Sequence, residues 1–339
     1  MKNTCPQNES ELEGKLSEPS EAVIKVARAM EGDCVVLGAG GKMGPTLAMM
    51  LKKAVPDKTV YAVSRFSDRS IVSRLETAGV TPISADLLEP EDHRLLPQVR
   101  NVFYLIGMKF GSTGKQPLTW VINSYLPGPL AYRYRKSNIV VFSTGNVYPY
   151  VKIGERAPCE DTEPRPVGEY AQSCLGRERV FQYFSERHRS PMTIVRLNYA
   201  NEPRYGIIVD LAIKIIHEEP IDLRVPAVNL IWQRDAIGYI IRSITLAQSP
   251  PTILNVAGPD VVRIRELALQ IADKLGKKPI FSDPEGTDAL LSNASKCIEK
   301  FGPPLMGLPE MVSTIVDWIV SGKEVLNKPT KFEVSDGRF

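Results

Sequence analysis

The sequence predicts an α/β fold in which a doubly wound parallel sheet is followed by a smaller C-terminal α/β domain. Short apolar segments alternate with amphipathic segments up to about residue 200. That alternation is typical of a parallel sheet with helices on both faces. The first strand-like segment also runs directly into a glycine-rich loop and a helix. Beyond residue 200 the alternation loosens, and there we expect the smaller domain.

The elements follow one another in a regular order. The segment "SEAVIKVARAM", residues 20–30, has apolar positions at helical spacing behind a serine that can cap a helix. Residues 33–37 form a short apolar run that suits a buried strand, and an amphipathic helix follows to about residue 54. Further strands, with helices between them, are predicted for "TVYAVSR", "VTPISADL", "VRNVFYLIGM", "NIVVFSTG" and "MTIVRLNYA".

Composition excludes several classes of protein. The chain has 339 residues and a net charge of +3, which is too small for charge-driven binding of nucleic acid. Its five cysteines and three histidines show neither CxxC nor metal-ligand spacing, so we expect no metal site and a reducing compartment. No signal peptide and no apolar run of membrane-spanning length are present. We therefore predict a cytoplasmic protein without a membrane partner.

The loop "VVLGAGGKMG" joins the first predicted strand to a helix. Strict GxGxxG spacing fails because the third position is Met43, whereas GxxGxxG spacing fits Gly38, Gly41 and Gly44. Glycines at such a turn let the backbone approach a pyrophosphate closely, and the helix N-terminus favours its negative charge. Together with Lys42 and Met43, these glycines predict the phosphate-binding loop of a Rossmann-type domain.

The end of the second strand should contact the ribose of the cofactor. NAD-binding proteins usually place an acidic residue there, but this chain has Ser64 and Arg65, and its first acid is Asp68. Because the planar guanidinium suits a 2′-phosphate, the pair favours NADP over NAD. The alternative is that Arg65 is an ordinary surface arginine at the end of a strand.

The domain limits follow from these patterns. Residues 1–19 are polar and acidic and are predicted to be a disordered leader. Residues 20–200 are predicted to form the NAD(P)-binding Rossmann domain. Residues 201–339 are predicted to form a substrate-binding domain that is partly interleaved with the first.

Several later segments carry a family resemblance. "ADL" at 85–87, "VFYLIG" at 102–107, "WVINSY" at 120–125, "VVFSTGNVY" at 140–148 and "GEYAQSCLGRE" at 168–178 occur in order. With the glycine loop, they make the chain resemble the extended short-chain dehydrogenase/reductases, also called the NAD-dependent epimerase/dehydratase family. The resemblance implies a Rossmann fold and hydride transfer to or from a nicotinamide. It also implies that Thr144 and Tyr170 are catalytic.

The same resemblance assigns further contacts to the cofactor. Asp86 and Leu87 correspond to the residues around the adenine, and Ile106 and Gly107 to those beside the riboses. Asn123 matches an asparagine of the following helix, and Asn198 lies in the segment that closes over the nicotinamide. Tyr170 is expected to contact the cofactor as well.

Position 174 departs from the family pattern. There the family has a lysine, four residues after its tyrosine, whose positive charge lowers the tyrosine pKa, and this chain has Cys174. One interpretation is an active enzyme in which Lys109 or Lys42 supplies the charge. A second is variant chemistry in which Tyr170 stays neutral and donates a proton. The third is a catalytically silent NADP-binding regulator or sensor.

The resemblance also suggests a substrate and an assembly. Substrates of this family are often nucleotide sugars held between the two domains. We expect Lys109, Asn146, Trp232 and Gln233 to be substrate contacts. The helices at 117–134 and 169–188 resemble the pair that forms a four-helix bundle between subunits, which predicts a homodimer.

Overall fold

A computed structural model describes residues 6–109, 111–282 and 284–337. The helices are α1 (Glu9–Leu16), α2 (Glu21–Ala29), α3 (Gly44–Ala54), α4 (Arg69–Thr77), α5 (Gln116–Trp120), α6 (Pro127–Arg133), α7 (Gly168–His188), α8 (Ile207–Ile216), α9 (Gln233–Arg242), α10 (Ile264–Leu275), α11 (Ser295–Phe301) and α12 (Leu308–Val320). The strands are β1 (Cys34–Leu37), β2 (Val60–Ser64), β3 (Thr81–Ser84), β4 (Asn101–Tyr104), β5 (Asn138–Thr144), β6 (Val151–Lys152), β7 (Met192–Leu197), β8 (Ala200–Asn201), β9 (Pro220–Asp222), β10 (Ala227–Val228), β11 (Ile231–Trp232), β12 (Thr252–Val256), β13 (Val262–Arg263), β14 (Ile280–Ser282) and β15 (Asp288–Ala289).

Seven strands form one parallel sheet in the order β12-β7-β5-β4-β1-β2-β3. This arrangement confirms the predicted doubly wound α/β fold. From β1, the chain adds β2 and β3 on one side of the sheet. It then returns to the other side of β1, where β4, β5, β7 and β12 follow in order. A crevice therefore opens at the carboxyl ends of β1 and β4, which is where such sheets bind ligands.

Both faces of the sheet are covered, which explains why β1 and β4 are fully buried and, apart from Asn101 at the start of β4, apolar. Alternate side chains point to opposite faces. Val36 packs in a cluster with α2, α3 and α9, whereas Val35 and Leu37 pack in a cluster with α6 and α7. The helices that carry the functional residues are thus fixed by the hydrophobic core of the sheet.

A third cluster lies outside the sheet and forms the smaller unit. It joins α8, α10 and α12 to short strands of the C-terminal half. The chain does not stay in this unit after residue 201, because α9 packs on the central sheet and β12 forms its edge strand. Residues beyond 201 therefore contribute to both units.

The prediction of a disordered leader is wrong for residues 6–19. Asn8 caps α1, and Leu12 and Leu16 are buried in the smaller hydrophobic cluster. On the same helix, Glu13 accepts hydrogen bonds from Arg204 and from Thr46. The two leucines lie one helical turn apart and so share a face, which the high content of polar residues conceals. Residues 1–5 lie outside the described part of the chain.

The helix that precedes β5 is interrupted, as the prolines predict. A π-helical turn at Val121–Tyr125 separates α5 from α6, and the Leu126 N–H bonds to the Val121 carbonyl. Pro127 then begins α6, where its missing N–H costs little. The turn brings Asn123 inward, so that its side chain is fully buried.

Among the described residues, no helix combines the length and the apolar character needed to cross a bilayer.

Candidate active site

Two cavities lie along the crevice at the carboxyl edge of the sheet. One, of about 350 Å³, contains Thr144 and Tyr170. The other, of about 300 Å³, contains Ser64 and Arg65. We call them the catalytic cavity and the ribose cavity. Four residues line both: Gly38, Gly41, Leu105 and Gly107. The two cavities therefore form one groove that crosses the glycine loop.

The three predicted glycines of this loop have different roles. Gly38 has a φ of +85°, and a Cβ there would lie 2.9 Å from the Ile106 nitrogen. At Gly44 a Cβ would lie 2.6 Å from the Cα of Ala39, so glycine is required for close packing of α3. A Cβ at Gly41 would meet only the Gly38 carbonyl, at 3.4 Å. The fold itself thus does not demand glycine at position 41.

Gly41 instead keeps the groove open. It lines both cavities at the beginning of α3, whose N-terminal N–H groups favour an anion. Lys42 and Met43 line the catalytic cavity beside it. The loop therefore fits the pyrophosphate of a dinucleotide, because the space that a side chain at position 41 would fill is continuous with both cavities.

Ser64, Arg65, Asp86 and Leu87 meet in the ribose cavity, as the sequence predicts, and Ile106 forms another of its walls. Arg65 is largely exposed, and its guanidinium lies 3.9 Å from the Asp86 carboxylate. Asp68 is occupied as the N-cap of α4. A cation at the end of β2 and an acid that follows β3 therefore line the same cavity.

Thr144 and Tyr170 are in direct contact in the catalytic cavity. The Tyr170 hydroxyl shares hydrogen bonds with Thr144 and with Cys174. The Thr144 hydroxyl also bonds to the Asn146 side chain at 2.9 Å. Burial, together with Cys174, raises the pKa of Tyr170 well above its usual value, and Arg177 acts in the opposite direction. The phenol is therefore protonated at neutral pH.

Cys174 supplies no charge to this pair. It is fully buried against Val147 and Tyr148, and burial raises the pKa of its thiol. The residue thus packs beneath Tyr170 as a neutral thiol that also shares a hydrogen bond with the phenol.

The sequence reasoning missed Arg177, which follows Cys174 by about one helical turn. Its guanidinium donates to the Phe142 carbonyl at 2.9 Å and to Asn123 Oδ1 at 2.7 Å. It lines the catalytic cavity so closely that a Cβ at Gly107 would lie 2.7 Å from Nη2. Its buried Nε has no hydrogen-bond partner among the described residues. The available signal was the spacing, because a residue seven positions after Tyr170 shares its helix face.

The structure does not bring Asn123 to either cavity. Its side chain bonds to both backbone polar groups of Met108 and to the Ser173 hydroxyl, and it accepts from Arg177. A fully buried amide with these partners positions the arginine and the loop after β4. The predicted cofactor contact is therefore replaced by an indirect role.

Two lysines, Lys42 and Lys109, line the catalytic cavity. Lys109 donates to the Thr330 carbonyl at 3.3 Å and is close enough to Cys174 for the two side chains to interact electrostatically. Lys42 donates to the Ala200 carbonyl at 3.2 Å, and its ammonium lies 3.6 Å from the centre of the Tyr205 ring. Of the two predicted substitute cations, Lys109 is thus the one placed beside position 174.

The structure brings only two of the remaining four predicted contact residues to the catalytic cavity. Asn146 and Asn198 line the catalytic cavity. Trp232 and Gln233 line neither part of the groove, which contradicts their predicted substrate contacts. Trp232 packs in the smaller hydrophobic cluster, and Gln233 is fully buried at the start of α9. Burial in the protein interior therefore keeps both side chains out of the described lining of the groove.

The C-terminal segment forms another wall of the catalytic cavity, which sequence reasoning did not predict. Lys328 and Thr330 line it, while Phe332 is buried in the smaller cluster. The backbone N–H and the hydroxyl of Thr330 both donate to the Asp210 carboxylate, at 2.8 and 2.6 Å. These contacts hold the segment against the cavity.

Within residues 6–109, 111–282 and 284–337, no group of three or more histidine, cysteine, aspartate or glutamate side chains is arranged to hold a metal ion.

Comparison with known proteins identifies the family. The profile of the NAD dependent epimerase/dehydratase family matches residues 34–224, more than half of the chain. No match was found among curated proteins.

Solved structures share the fold at low identity. MoeE5 in complex with UDP-glucose and NAD is 20% identical with a TM-score of 0.72, covering 86% of this chain and 99% of its own. UDP-glucuronic acid 4-epimerase from Bacillus cereus in complex with NAD is 18% identical with a TM-score of 0.73, covering 86% and 100%. UDP-glucose 4-epimerase from Thermus thermophilus in complex with NAD is 20% identical with a TM-score of 0.69, covering 84% and 98%. The chain therefore belongs to the NAD-dependent epimerase/dehydratase family.

Proposed function

We propose that the protein is an NAD(P)-dependent oxidoreductase or epimerase/dehydratase that acts on a hydroxyl or carbonyl of a sugar or nucleotide sugar by hydride transfer. The observation that carries the proposal is the hydrogen-bonded pair of Thr144 and Tyr170 in a cavity continuous with the glycine loop. Family membership and structural neighbours that bind UDP-sugars and NAD support the same reaction class.

We base the proposed orientation of the cofactor on the residues that line the groove. Arg65, Asp86 and Leu87 would hold the adenosine end in the ribose cavity, and Gly41 would admit the pyrophosphate. The nicotinamide end would then lie in the catalytic cavity beside Tyr170. We favour NADP because the exposed Arg65 guanidinium suits a 2′-phosphate.

When bound, the nicotinamide ring takes or returns the hydride. Thr144 orients the reacting oxygen of the substrate, and Tyr170 exchanges a proton with it. Since the pKa of Tyr170 is raised, its starting form is the neutral phenol, which is suited to donate a proton. Acting as a base requires a positive field, and we assign that field to Arg177 and Lys109 instead of the lysine that Cys174 replaces.

A second candidate is a catalytically silent NADP-binding regulator. It is favoured by Cys174, because a buried neutral thiol cannot support ionisation of Tyr170. Both candidates predict cofactor binding, so the criterion that separates them is turnover.

We also propose a homodimer. Six large apolar side chains are exposed on the helical face formed by α5, the π-helical turn, α6 and α7: Leu118, Trp120, Val121, Tyr125, Tyr132 and Tyr183. An exposed apolar face of this kind marks an interaction surface. The cytoplasmic location stays a prediction.

The first prediction concerns the glycine loop. Gly41→Ala should change the free energy of unfolding by less than about 0.5 kcal/mol but weaken cofactor binding roughly tenfold, because its methyl group enters the groove. The matched variant Gly44→Ala should lower the stability by about 1–3 kcal/mol, because its methyl group meets the backbone of Ala39. Urea unfolding and fluorescence titration with NADPH and NADH measure both effects. Unchanged cofactor affinity in Gly41→Ala would exclude the loop as the pyrophosphate site.

The second prediction concerns cofactor preference. Arg65→Ala should weaken NADPH roughly tenfold and leave NADH nearly unchanged, since a charge-assisted contact to the 2′-phosphate is lost. Arg69→Ala is the control, because Arg69 is equally charged and exposed but lies outside the ribose cavity. Equal weakening of both cofactors would contradict a preference set by Arg65.

The third prediction concerns turnover. Tyr170→Phe should reduce turnover of a responsive nucleotide sugar at least about 100-fold while cofactor affinity stays within about twofold. Tyr183→Phe, on the exposed face of the same helix, is the control. The assay follows cofactor absorbance and the sugar product across a panel of UDP-sugars. If Tyr170→Phe retains wild-type turnover, Tyr170 is not catalytic. If the native chain binds the cofactor but turns over none of the UDP-sugars, the result favours the regulator.

The fourth prediction concerns assembly. Tyr125→Glu should convert the dimer to a monomer, because it places a charge in the proposed apolar interface. Leu305→Glu is a matched control, since Leu305 and Tyr125 are both 68% exposed and only Tyr125 lies on that helical face. Analytical ultracentrifugation gives the mass. A native chain that sediments as a monomer would rule the dimer out.

A further inference from the structure

Three lysines from distant parts of the chain line the catalytic cavity. Lys42 comes from the glycine loop, Lys109 from the loop after β4, and Lys328 from the C-terminal segment. Thr144 and Tyr170 line the same cavity. Three basic residues from distant parts of the chain therefore line the cavity that contains Thr144 and Tyr170.

No acidic side chain among the described residues lines this cavity. The two acids that attract Lys42, Glu202 and Asp210, lie behind its wall. Glu202 is bonded to Arg204, and the Asp210 carboxylate accepts both donors of Thr330. The negative charges nearest to the lysines thus already have other partners, and the face turned to the cavity is positive.

Burial in the cavity wall destabilises the charged form of two of these lysines and lowers their pKa values. The pKa of Lys42 is lowered to about 7, mainly by burial. Lys109 and Arg204 contribute to this decrease, whereas Glu202 and Asp210 oppose it. Burial also lowers the pKa of Lys109 to about 8, where Lys331 acts in the same direction and Cys174 and Asp210 oppose it. An anion in the cavity would stabilise both charged forms.

We propose that Lys42, Lys109 and Lys328 form an anion site for a carboxylate or phosphate that the substrate carries close to its reacting carbon. This inference rests on the proposed function, because it places the anion beside the group that Tyr170 would protonate. It narrows the substrate class from sugars in general to those with an acidic substituent.

The arginines of the smaller unit do not offer an alternative anion site in this cavity. Arg204 is buried and paired with Glu202 and Glu13, and Arg263 is paired with Glu285. Neither lines the catalytic cavity. Lys42 and Lys109 donate to the backbone carbonyls of Ala200 and Thr330.

The test titrates the cofactor-loaded protein with glucuronate, inorganic phosphate and neutral glucose, using isothermal calorimetry. We expect an anion to bind and glucose not to bind at the same concentration. Lys109→Met and Lys328→Met should each weaken the anion roughly tenfold. Lys296→Met is the control, because Lys296 also donates to one backbone carbonyl but lies outside the cavity. Its anion affinity should equal that of the native chain.

Proton linkage gives a second readout that a purely structural lysine would not produce. At pH 8 Lys109 is about half protonated and Lys42 is mostly neutral. An anion that raises both pKa values must draw protons from solution. The binding enthalpy should therefore differ between buffers of different ionisation enthalpy, and Lys109→Met should reduce that difference.

The outcomes separate the two sources of the anion. Binding of glucuronate alone identifies a carboxylate, and binding of phosphate alone identifies a phosphate group. The anion site is overturned if neither anion binds, if the lysine variants bind anions as well as the control does, or if they weaken only the cofactor. The hydride-transfer proposal has its own test, loss of turnover in Tyr170→Phe, so the two failures are distinguishable.

Discussion

The buried ion pair between Glu178 and Arg196 is the interaction on which the geometry of the active site depends. The Glu178 side chain is fully buried, and its carboxylate accepts from Arg196 at 2.7 and 3.0 Å and from Ser143 at 2.5 Å. The arginine also donates to the Tyr148 hydroxyl. One carboxylate thus ties α7 to β5 and β7. Because removal of one partner from a buried pair destabilises a protein by about 3–5 kcal/mol, this ion pair strongly fixes the orientation of α7 about its own axis.

That rotation decides which side chains of α7 reach the groove. With Glu178 turned to the sheet, Tyr170 faces Thr144, and Arg177 lies under Gly107. Cys174 lies between them in a small apolar cluster. Position 174 therefore holds a buried thiol, and a cation, Arg177, lies about one turn further along the same helix. Its guanidinium is fixed by Asn123 and the Phe142 carbonyl rather than left to rotate.

The sequence predicts the parts of this site that local patterns determine, whereas the features it missed depend on contacts between distant segments. Apolar alternation indicates the strands, and the spacing of Gly38, Gly41 and Gly44 indicates a loop that the structure places at the crevice. By contrast, Trp232 is of a residue type that often contacts ligands, but in the structure β11 pairs with β8 and the Trp232 side chain packs in the hydrophobic core of the smaller unit. Lys328 reaches the catalytic cavity from the far end of the chain, and no local pattern relates it to the glycine loop.

Two of the positive charges in the catalytic cavity respond to pH near neutrality. Lys42 and Lys109 titrate with pKa values near 7 and 8, so without an anion the cavity loses positive charge as the pH rises through this range. Arg177 on α7 favours ionisation of Tyr170. Lys109 interacts with Cys174 in the same cavity and donates to the Thr330 carbonyl of the C-terminal segment. The contact of that segment with the cavity and the positive charge beside position 174 therefore depend on the same lysine.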